Sequence, residues 1–180
     1  GLVLGSVYAL VALGYTMVYG ILELINFAHG EITMMGAMVA LAVTGALALA
    51  APGLPGVLVL GAGLAVAIPV CMTLGLLIER IAYRPLRHAP RLAPLITAIG
   101  VSIILQNIAM LIWGKQYIPF PAILPQGRHE ILGATISDVQ IAILVLAVLI
   151  MLALILVVQK TRLGRAMRAT AQSRQVASLM

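Results

Sequence analysis

Three side chains that can form hydrogen bonds or exchange protons lie close together between two strongly apolar segments. They are Asn26, His29 and Glu31, all within residues 25–31. A carboxylate in hydrocarbon costs roughly 3 kcal/mol on insertion scales and more in simulations. Irregular backbone at membrane depth is tolerated only where protein or a water-filled cavity shelters it. The sequence therefore predicts a polar turn that joins two packed helices and lies where a solute passes.

The composition places the chain in a membrane. Of its 180 residues, 63% are hydrophobic and 9% are charged, and the mean hydropathy is +1.16. A soluble domain carries about 25% charged residues, so that class is excluded. The net charge is +6, but the arginines cluster at the ends of apolar segments, where basic residues set membrane topology. This placement excludes nucleic acid as a partner.

Five apolar segments reach the length of about 20 residues that a membrane-spanning helix needs. The segments are residues 2–22, 32–50, 57–78, 93–113 and 139–158. Ser137 and Gln140 form a capping-box pattern that predicts the start of the fifth helix. We expect an all-α, polytopic helix bundle of five transmembrane helices in one domain, residues 1–180, followed within it by a cytoplasmic segment at 160–180.

The basic residues predict the orientation of the chain. Cytoplasmic connections carry an excess of Lys and Arg. Two connections meet this rule, and their basic residues are Arg80, Arg84, Arg87, Arg91, Lys160, Arg162, Arg165, Arg168 and Arg174. Residues 114–137 then face outward, Gly1 lies outside, and the polar turn lies toward the inner half of the membrane. This assignment of sides is wrong if residues 26–50 enter the membrane and return to the same side.

The first and fourth predicted spans also carry polar side chains that could face a solute. Tyr19 shares one face of the first helix with other tyrosines, for which hydrogen bonds to neighbouring helices are the simpler interpretation than a solute-lining role. Ser102 and Gln106 share a face of the fourth helix, and Asn107 flanks it. Polar residues within spans commonly join helices, and for these three a pathway role stays equally open.

No catalytic or nucleotide-binding arrangement can be assembled from the sequence. The phosphate-binding pattern Gly-x-x-x-x-Gly-Lys is absent, and His29 with Glu31 makes a poor metal site. Cys71 stands alone in an apolar segment and reads as a small packing residue. The sequence indicates passage rather than bond-making, with no enzyme activity, no metal and no cofactor held by this chain. Energy from a nucleotide would have to come from another chain.

Five sequence blocks along the chain are distinctive. They are GYTMVYG at 14–20, INFAHGE at 25–31, IERIAYRPLR at 78–87, TAIGVSIILQN at 97–107 and TRLGRAMRA at 161–169. In this order they resemble one family, the LivH-type permeases of branched-chain amino acid ABC importers. Chains of this family continue through further spans, so the resemblance is to their N-terminal part. It implies a multi-pass protein of the bacterial inner membrane, surrounded by lipid.

The resemblance also implies a function. A permease of this kind alternates access as two ATPase subunits close on ATP, together with a second permease chain and an extracytoplasmic substrate-binding protein. The block at 161–169 matches the segment that contacts the ATPase in this family, which assigns coupling to Arg162, Gly164, Arg165, Arg168 and Ala169. At residues 172–173 this chain has Gln-Ser, where the family often carries an acidic residue. That departure weakens any specific ion pair with the ATPase.

The candidate substrate pathway combines the polar turn with the polar positions of the first and fourth helices. Its residues are Tyr19, Asn26, His29, Glu31, Ser102, Gln106 and Asn107. Alternatives are a permease for urea or short amides and, from a different class, an ion-driven transporter that uses His29 or Glu31 as a proton relay. Spans three to five offer no continuing relay. The substrate itself and the pairing of permease chains stay open.

Overall fold

The structure is a computed structural model that describes residues 1–22, 26–86, 89–90, 92–121, 127–131 and 134–172. The helices are α1 (Leu2–Leu22), α2 (His29–Ala50), α3 (Gly56–Ile78), α4 (Leu92–Trp113), α5 (Asp138–Lys160) and α6 (Arg162–Gln172). A π-helical turn (Glu79–Tyr83) and a 3-10 turn (Arg84–Leu86) continue α3. An antiparallel hairpin of β1 (Arg128–Ile131) and β2 (Ala134–Ser137) precedes α5.

In the part of the chain that is described, α1 to α5 are each long and apolar enough to cross a membrane. The predicted all-α class with five spanning helices is thereby confirmed. The capping box at the start of α5 is confirmed as well, because the Gln140 backbone N–H donates to Ser137 Oγ at 3.3 Å and the Ser137 backbone N–H donates to Gln140 Oε1 at 3.1 Å. Together these bonds satisfy two N–H groups at a helix end.

Helix α2 begins earlier than the apolar segment that predicts it. Its first residue is His29, whereas the hydrophobic segment starts at residue 32. The His29 backbone N–H already donates to Asn26 O at 3.1 Å, and the Ile32 N–H donates to Ala28 O at 3.1 Å. Since these bonds do not depend on side-chain polarity, the helix takes in the polar residues, and Glu31 projects from its first turn.

The chain forms two compact units, one built on α2, α3 and α4 and the other on α1, the hairpin, α5 and α6. In the first unit α2 and α3 pack through small residues spaced four apart. On α2 the small residues are Gly36, Ala40 and Thr44. On α3 they are Gly63, Ala67 and Cys71. A Cβ added at Gly36 would lie 2.6 Å from Cys71 Sγ, and one at Gly63 would lie 2.7 Å from Thr44 Cγ2. Small residues of this kind let helix backbones approach closely where lipid supplies no hydrophobic drive.

In the second unit α1 packs on α5, and α6 contacts both helices. The N-terminal end of α5 joins the hairpin, whose register pairs Arg128 with Ser137 and Ile131 with Ala134. The C-terminal end of α5 leads directly into α6 through the single residue Thr161. This unit thus carries a short amphipathic helix held beside the end of a membrane-spanning one.

Candidate functional site

The carboxylate of Glu31 joins α2 to α4. Its Oε1 atom accepts hydrogen bonds from Ser102 Oγ at 3.0 Å and from Gln106 Nε2 at 2.7 Å. Ser102 and Gln106 stand four residues apart, which places them on one face of α4. We call Glu31, Ser102 and Gln106 the polar triad. The structure therefore brings together three of the residues that the sequence proposed for the pathway.

The polar triad lies near the middle of α4. Ser102 is ten residues beyond Leu92, the start of the helix. At about 1.5 Å per residue this is roughly 15 Å along a helix roughly 33 Å long. Glu31 is half-buried at this level, and Gln106 is exposed on the surface of the unit. A charged group and two hydrogen-bonding groups therefore occupy the depth at which a spanning helix is normally apolar.

A second polar contact fixes the turn ahead of α2. The Tyr83 hydroxyl donates to Asn26 Oδ1 at 2.6 Å, and the Ala28 backbone N–H donates to the same oxygen at 3.1 Å. An Asn that accepts from the backbone two residues on forms an Asx turn. Tyr83 belongs to the π-helical turn that extends α3. The bond spans 57 residues of sequence, and sequence reasoning did not single out Tyr83.

The remaining predicted pathway residues have other described positions. Asn107 Nδ2 donates to the Ile103 carbonyl of its own helix at 2.8 Å, and its side chain is exposed. His29 is half-buried as the first residue of α2. Tyr19 is 52% exposed on α1, in the other unit. Their proposed contact with a solute stays a prediction.

The connection between α5 and α6 is a tight corner that accepts only glycine at one position. Thr161 is extended, its Oγ1 donates to Val157 O at 2.6 Å, and the Gly164 backbone N–H donates to that Oγ1 at 3.0 Å. Gly164 is buried, and a Cβ there would collide with the carbonyl oxygens of Val157 and Val158. Thr161 thus caps α6 while Gly164 lets the helix lie against the end of α5.

Three arginines of α6 remain on the surface. Arg162, Arg165 and Arg168 are exposed, and Ala169 is half-buried. Arg168 Nη2 donates to the Gln159 carbonyl at 3.4 Å, which ties the middle of α6 to the last turn of α5. Arginine at exposed positions is suited to bidentate contacts with carboxylates on another surface. The geometry offers a fixed, basic face.

Within the described ranges, no group of three or more His, Cys, Asp or Glu side chains is placed to hold a metal ion. The polar groups at the site are instead two neutral hydrogen-bond donors, one carboxylate and an Asn–Tyr pair. Such groups bind and orient a small polar molecule by hydrogen bonds and charge.

Comparison with known proteins identifies the family of the chain. The family described as "Branched-chain amino acid transport system / permease component" matches residues 1–180. The chain belongs to this permease family. It is 47% identical over its whole length to the high-affinity branched-chain amino acid transport system permease protein BraD of Pseudomonas aeruginosa. It is 43% identical, again over its whole length, to LivH of Escherichia coli (strain K12) and to LivH of Salmonella typhimurium.

The permease chain spans about 60% of the length of these relatives, 60% of BraD and 59% of each LivH. No solved structure matches it. The resemblance to LivH-type permeases is confirmed by this membership. The family and the five apolar helices together make the chain a multi-pass protein of the bacterial inner membrane.

The contact between Asn26 and Tyr83 predicts an order of stability among three variants of the permease. Hydrogen bonds between transmembrane helices contribute about 0.6 kcal/mol on average. Tyr83→Phe should therefore lower the free energy of unfolding slightly. Asn26→Leu should lower it by about 1–2 kcal/mol, because the acceptor of both the Tyr83 and the Ala28 bond is lost. Unfolding of the purified protein in detergent measures both.

Asn107→Leu is the matched control, because among the described residues that amide bonds within its own helix. Asn107→Leu should lower the free energy of unfolding less than Asn26→Leu does. An Asn107 variant as unstable as the Asn26 variant would show that the Tyr83 contact does not hold the turn.

Proposed function

We propose that the chain is a permease subunit of an ABC importer for branched-chain amino acids. It forms part of the translocation pathway and couples to separate ATPase subunits. The observation that carries this proposal is the family match over all 180 residues, with relatives that are named as permeases of high-affinity branched-chain amino acid transport systems.

In this proposal the polar triad and Asn26 line the pathway. Glu31, Ser102 and Gln106 supply one carboxylate and two neutral donors at the middle of α4. A zwitterionic substrate needs such groups because it loses its hydration shell on entering the protein. Tyr19, His29 and Asn107 are retained as candidate pathway residues.

Coupling is assigned to α6. Its exposed Arg162, Arg165 and Arg168 supply charge for an ATPase surface, while Gly164 is buried and Ala169 is half-buried. A helix that is fixed to the end of a spanning helix can carry motion of a cytoplasmic partner into the membrane. The support is the corner at Thr161 and Gly164, which leaves α6 little freedom to swing independently.

The proposed assembly contains a second permease subunit, two ATPase subunits and an extracytoplasmic substrate-binding protein, in membrane lipid. The chain itself is proposed to hold no cofactor and to perform no catalysis, since ATP is bound and hydrolysed by the partner subunits. The relatives are transport permeases by name, which supports a role in transport rather than in an enzymatic step.

Uptake by the reconstituted complex tests the proposal. Vesicles with the permease pair and the ATPases should accumulate leucine only when ATP is inside and the binding protein is outside. Accumulation driven by an ion gradient without ATP would contradict the proposal and favour an ion-driven transporter. Uptake of urea or acetamide in place of leucine would favour the amide permease.

Reversing the charge of the exposed arginines tests the role of α6. Arg165→Glu together with Arg168→Glu should lower ATP-driven uptake by about tenfold or more, because charge-assisted hydrogen bonds are replaced by like-charge or unpaired groups. The variant protein should still insert, as both side chains are exposed. Uptake of leucine by vesicles and the amount of protein in the membrane are measured in parallel.

Arg128→Glu is the matched control, a charge reversal at an exposed arginine of the hairpin. It should leave uptake near the unaltered level. Normal uptake by the Arg165/Arg168 variant would mean that these arginines only anchor the chain.

A further inference from the structure

One oxygen of the Glu31 carboxylate accepts no hydrogen bond from the described part of the chain. Both hydrogen bonds to this side chain, from Ser102 and Gln106, end on Oε1. In the residues that the structure describes, none ends on Oε2. Because a carboxylate offers about four acceptor positions over two oxygens, half of this group is left for a further donor.

Among the residues that the structure describes, none forms an ion pair with Glu31; His29 lies on the same helix, and Arg80 and Arg84 lie in the turns that continue α3. No Lys or Arg occurs in α2, α3 or α4. Ser102 and Gln106 are neutral, so they orient the carboxylate without balancing its charge. A charge at membrane depth is costly unless it pairs, and such residues mark substrate or ion sites. The triad is not enclosed in the unit, since Glu31 is half-buried and Gln106 is exposed.

We propose that Glu31 recognises the α-ammonium group of the translocated amino acid through Oε2. The inference rests on the proposed import of amino acids, and it adds that the permease recognises the ammonium group of its substrate. An ammonium group carries three donors and a positive charge, which match the free oxygen and the unbalanced charge. Ser102 and Gln106 are positioning residues that hold Oε1. A urea or amide substrate lacks the cation, so this site selects a zwitterion against it.

Two variants of Glu31 separate recognition from helix packing. Glu31→Gln keeps the length and an acceptor oxygen for Ser102 and Gln106 but removes the charge. Glu31→Asp keeps the charge but is one methylene shorter. Ammonium recognition predicts that Glu31→Gln lowers ATP-driven leucine uptake about tenfold to a hundredfold, the range of one charge-assisted hydrogen bond. Glu31→Asp should retain clearly more uptake.

If Glu31 only joins α2 to α4, the order reverses, because the shortened side chain loses both bonds and the amide keeps them. Uptake by Glu31→Gln that equals or exceeds uptake by Glu31→Asp therefore overturns the proposal. Wild-type complex is run beside both variants. Absence of ATP-driven leucine uptake by the wild type is a failure of the proposed function, and is distinguished in this way from a failure of the Glu31 assignment.

A second measurement uses the wild-type complex, so it does not depend on whether a variant folds. A hydrophobic carbodiimide modifies carboxyl groups within membranes, and mass spectrometry quantifies its attachment to Glu31 in the wild-type complex. Leucine, delivered with the binding protein and ATP, should slow this labelling several-fold, whereas 4-methylpentanoate, which has the same skeleton without the amine, should not. Equal labelling with and without leucine overturns the proposal. Protection by both compounds overturns it too, because the ammonium group would then be irrelevant.

Discussion

Replacing Gly63 with leucine is expected to prevent α2 and α3 from packing and to lower the yield of folded protein sharply. A Cβ at Gly63 would lie 2.7 Å from Thr44 Cγ2 and 3.2 Å from the Ala40 carbonyl oxygen. The carbonyl is backbone, and Thr44 is fully buried and hydrogen-bonded to Ala40 O at 2.8 Å. Neither can move aside cheaply, so the helices must separate.

Overpacking of a filled interior costs about 1–3 kcal/mol, and occasionally more. For Gly63→Leu we expect the upper end of that range, because a whole side chain is forced between two backbones in contact. The free energy of unfolding, measured in detergent with a graded denaturant, reports the loss.

Gly61→Leu is the matched control. It lies two residues away on the same helix, is exposed, and has no atom within 4 Å of an added Cβ. Both variants replace glycine by leucine in a helix, a change that by itself favours the helix by about 1 kcal/mol or less. Equal stability of the two variants would show that α2 and α3 do not approach as described.

The second large effect is expected at the corner between α5 and α6. Gly164→Val should abolish coupled transport while the protein still inserts. An added side chain meets the carbonyl oxygens of Val157 and Val158, so α6 can no longer lie against the end of α5. The bond from the Gly164 N–H to Thr161 Oγ1 is lost as the corner opens. Under the proposed function, ATP-driven uptake should fall by more than about tenfold, since a displaced coupling helix loses its partner contacts.

Ala166→Val controls for the effect of a β-branched residue in this helix. Ala166 is exposed on α6, so valine there costs helix propensity of about 0.7 kcal/mol or less without a collision. Uptake should stay near normal. If Gly164→Val transports as well as Ala166→Val does, the corner has no role in coupling.

Features with a local signal could be predicted from the sequence. The lengths of the apolar segments predicted five spanning helices, and Ser137 with Gln140 predicted the start of α5 because a capping box involves residues only three apart. The polar turn was located by its composition. The start of α2 was placed too late because hydrophobicity was the signal, whereas backbone bonds at Asn26 and Ala28 begin the helix before the apolar residues.

Contacts between distant segments could not be derived in the same way. Glu31 is separated from Ser102 by 71 residues and from Gln106 by 75. The sequence showed that all three are polar in apolar surroundings, but not that one oxygen of Glu31 takes both bonds. Asn26 and Tyr83 illustrate the limit more strongly, because a tyrosine near the end of a span has many possible partners. Pairing of this kind depends on how the helices pack.

The close approach of α2 and α3 could be predicted only in part. Small residues at every fourth position are visible in the sequence, and they favour tight packing. Which residues face each other depends on the relative shift of two helices, and the sequence does not fix that shift. The opposition of Gly36 to Cys71 and of Gly63 to Thr44 is a finding of the structure.

The proposed function places the turn before α2 and the adjoining Glu31 at membrane depth beside the route of the substrate. Reactivity of a single cysteine at Gly30 tests it, in a Cys71→Ala background, with a charged, water-soluble thiol reagent applied to the reconstituted complex. Gly30 and Gly53 are both exposed and have open space around an added Cβ. Gly53, in the connection between α2 and α3, serves as the reference for a position in bulk solvent.

The cysteine at position 30 should react far more slowly than the one at position 53. Its rate should also change when ATP and the leucine-loaded binding protein set the complex in motion. Reaction at position 30 as fast as at position 53, unaffected by ATP or leucine, would place the turn in bulk solvent and away from the substrate route.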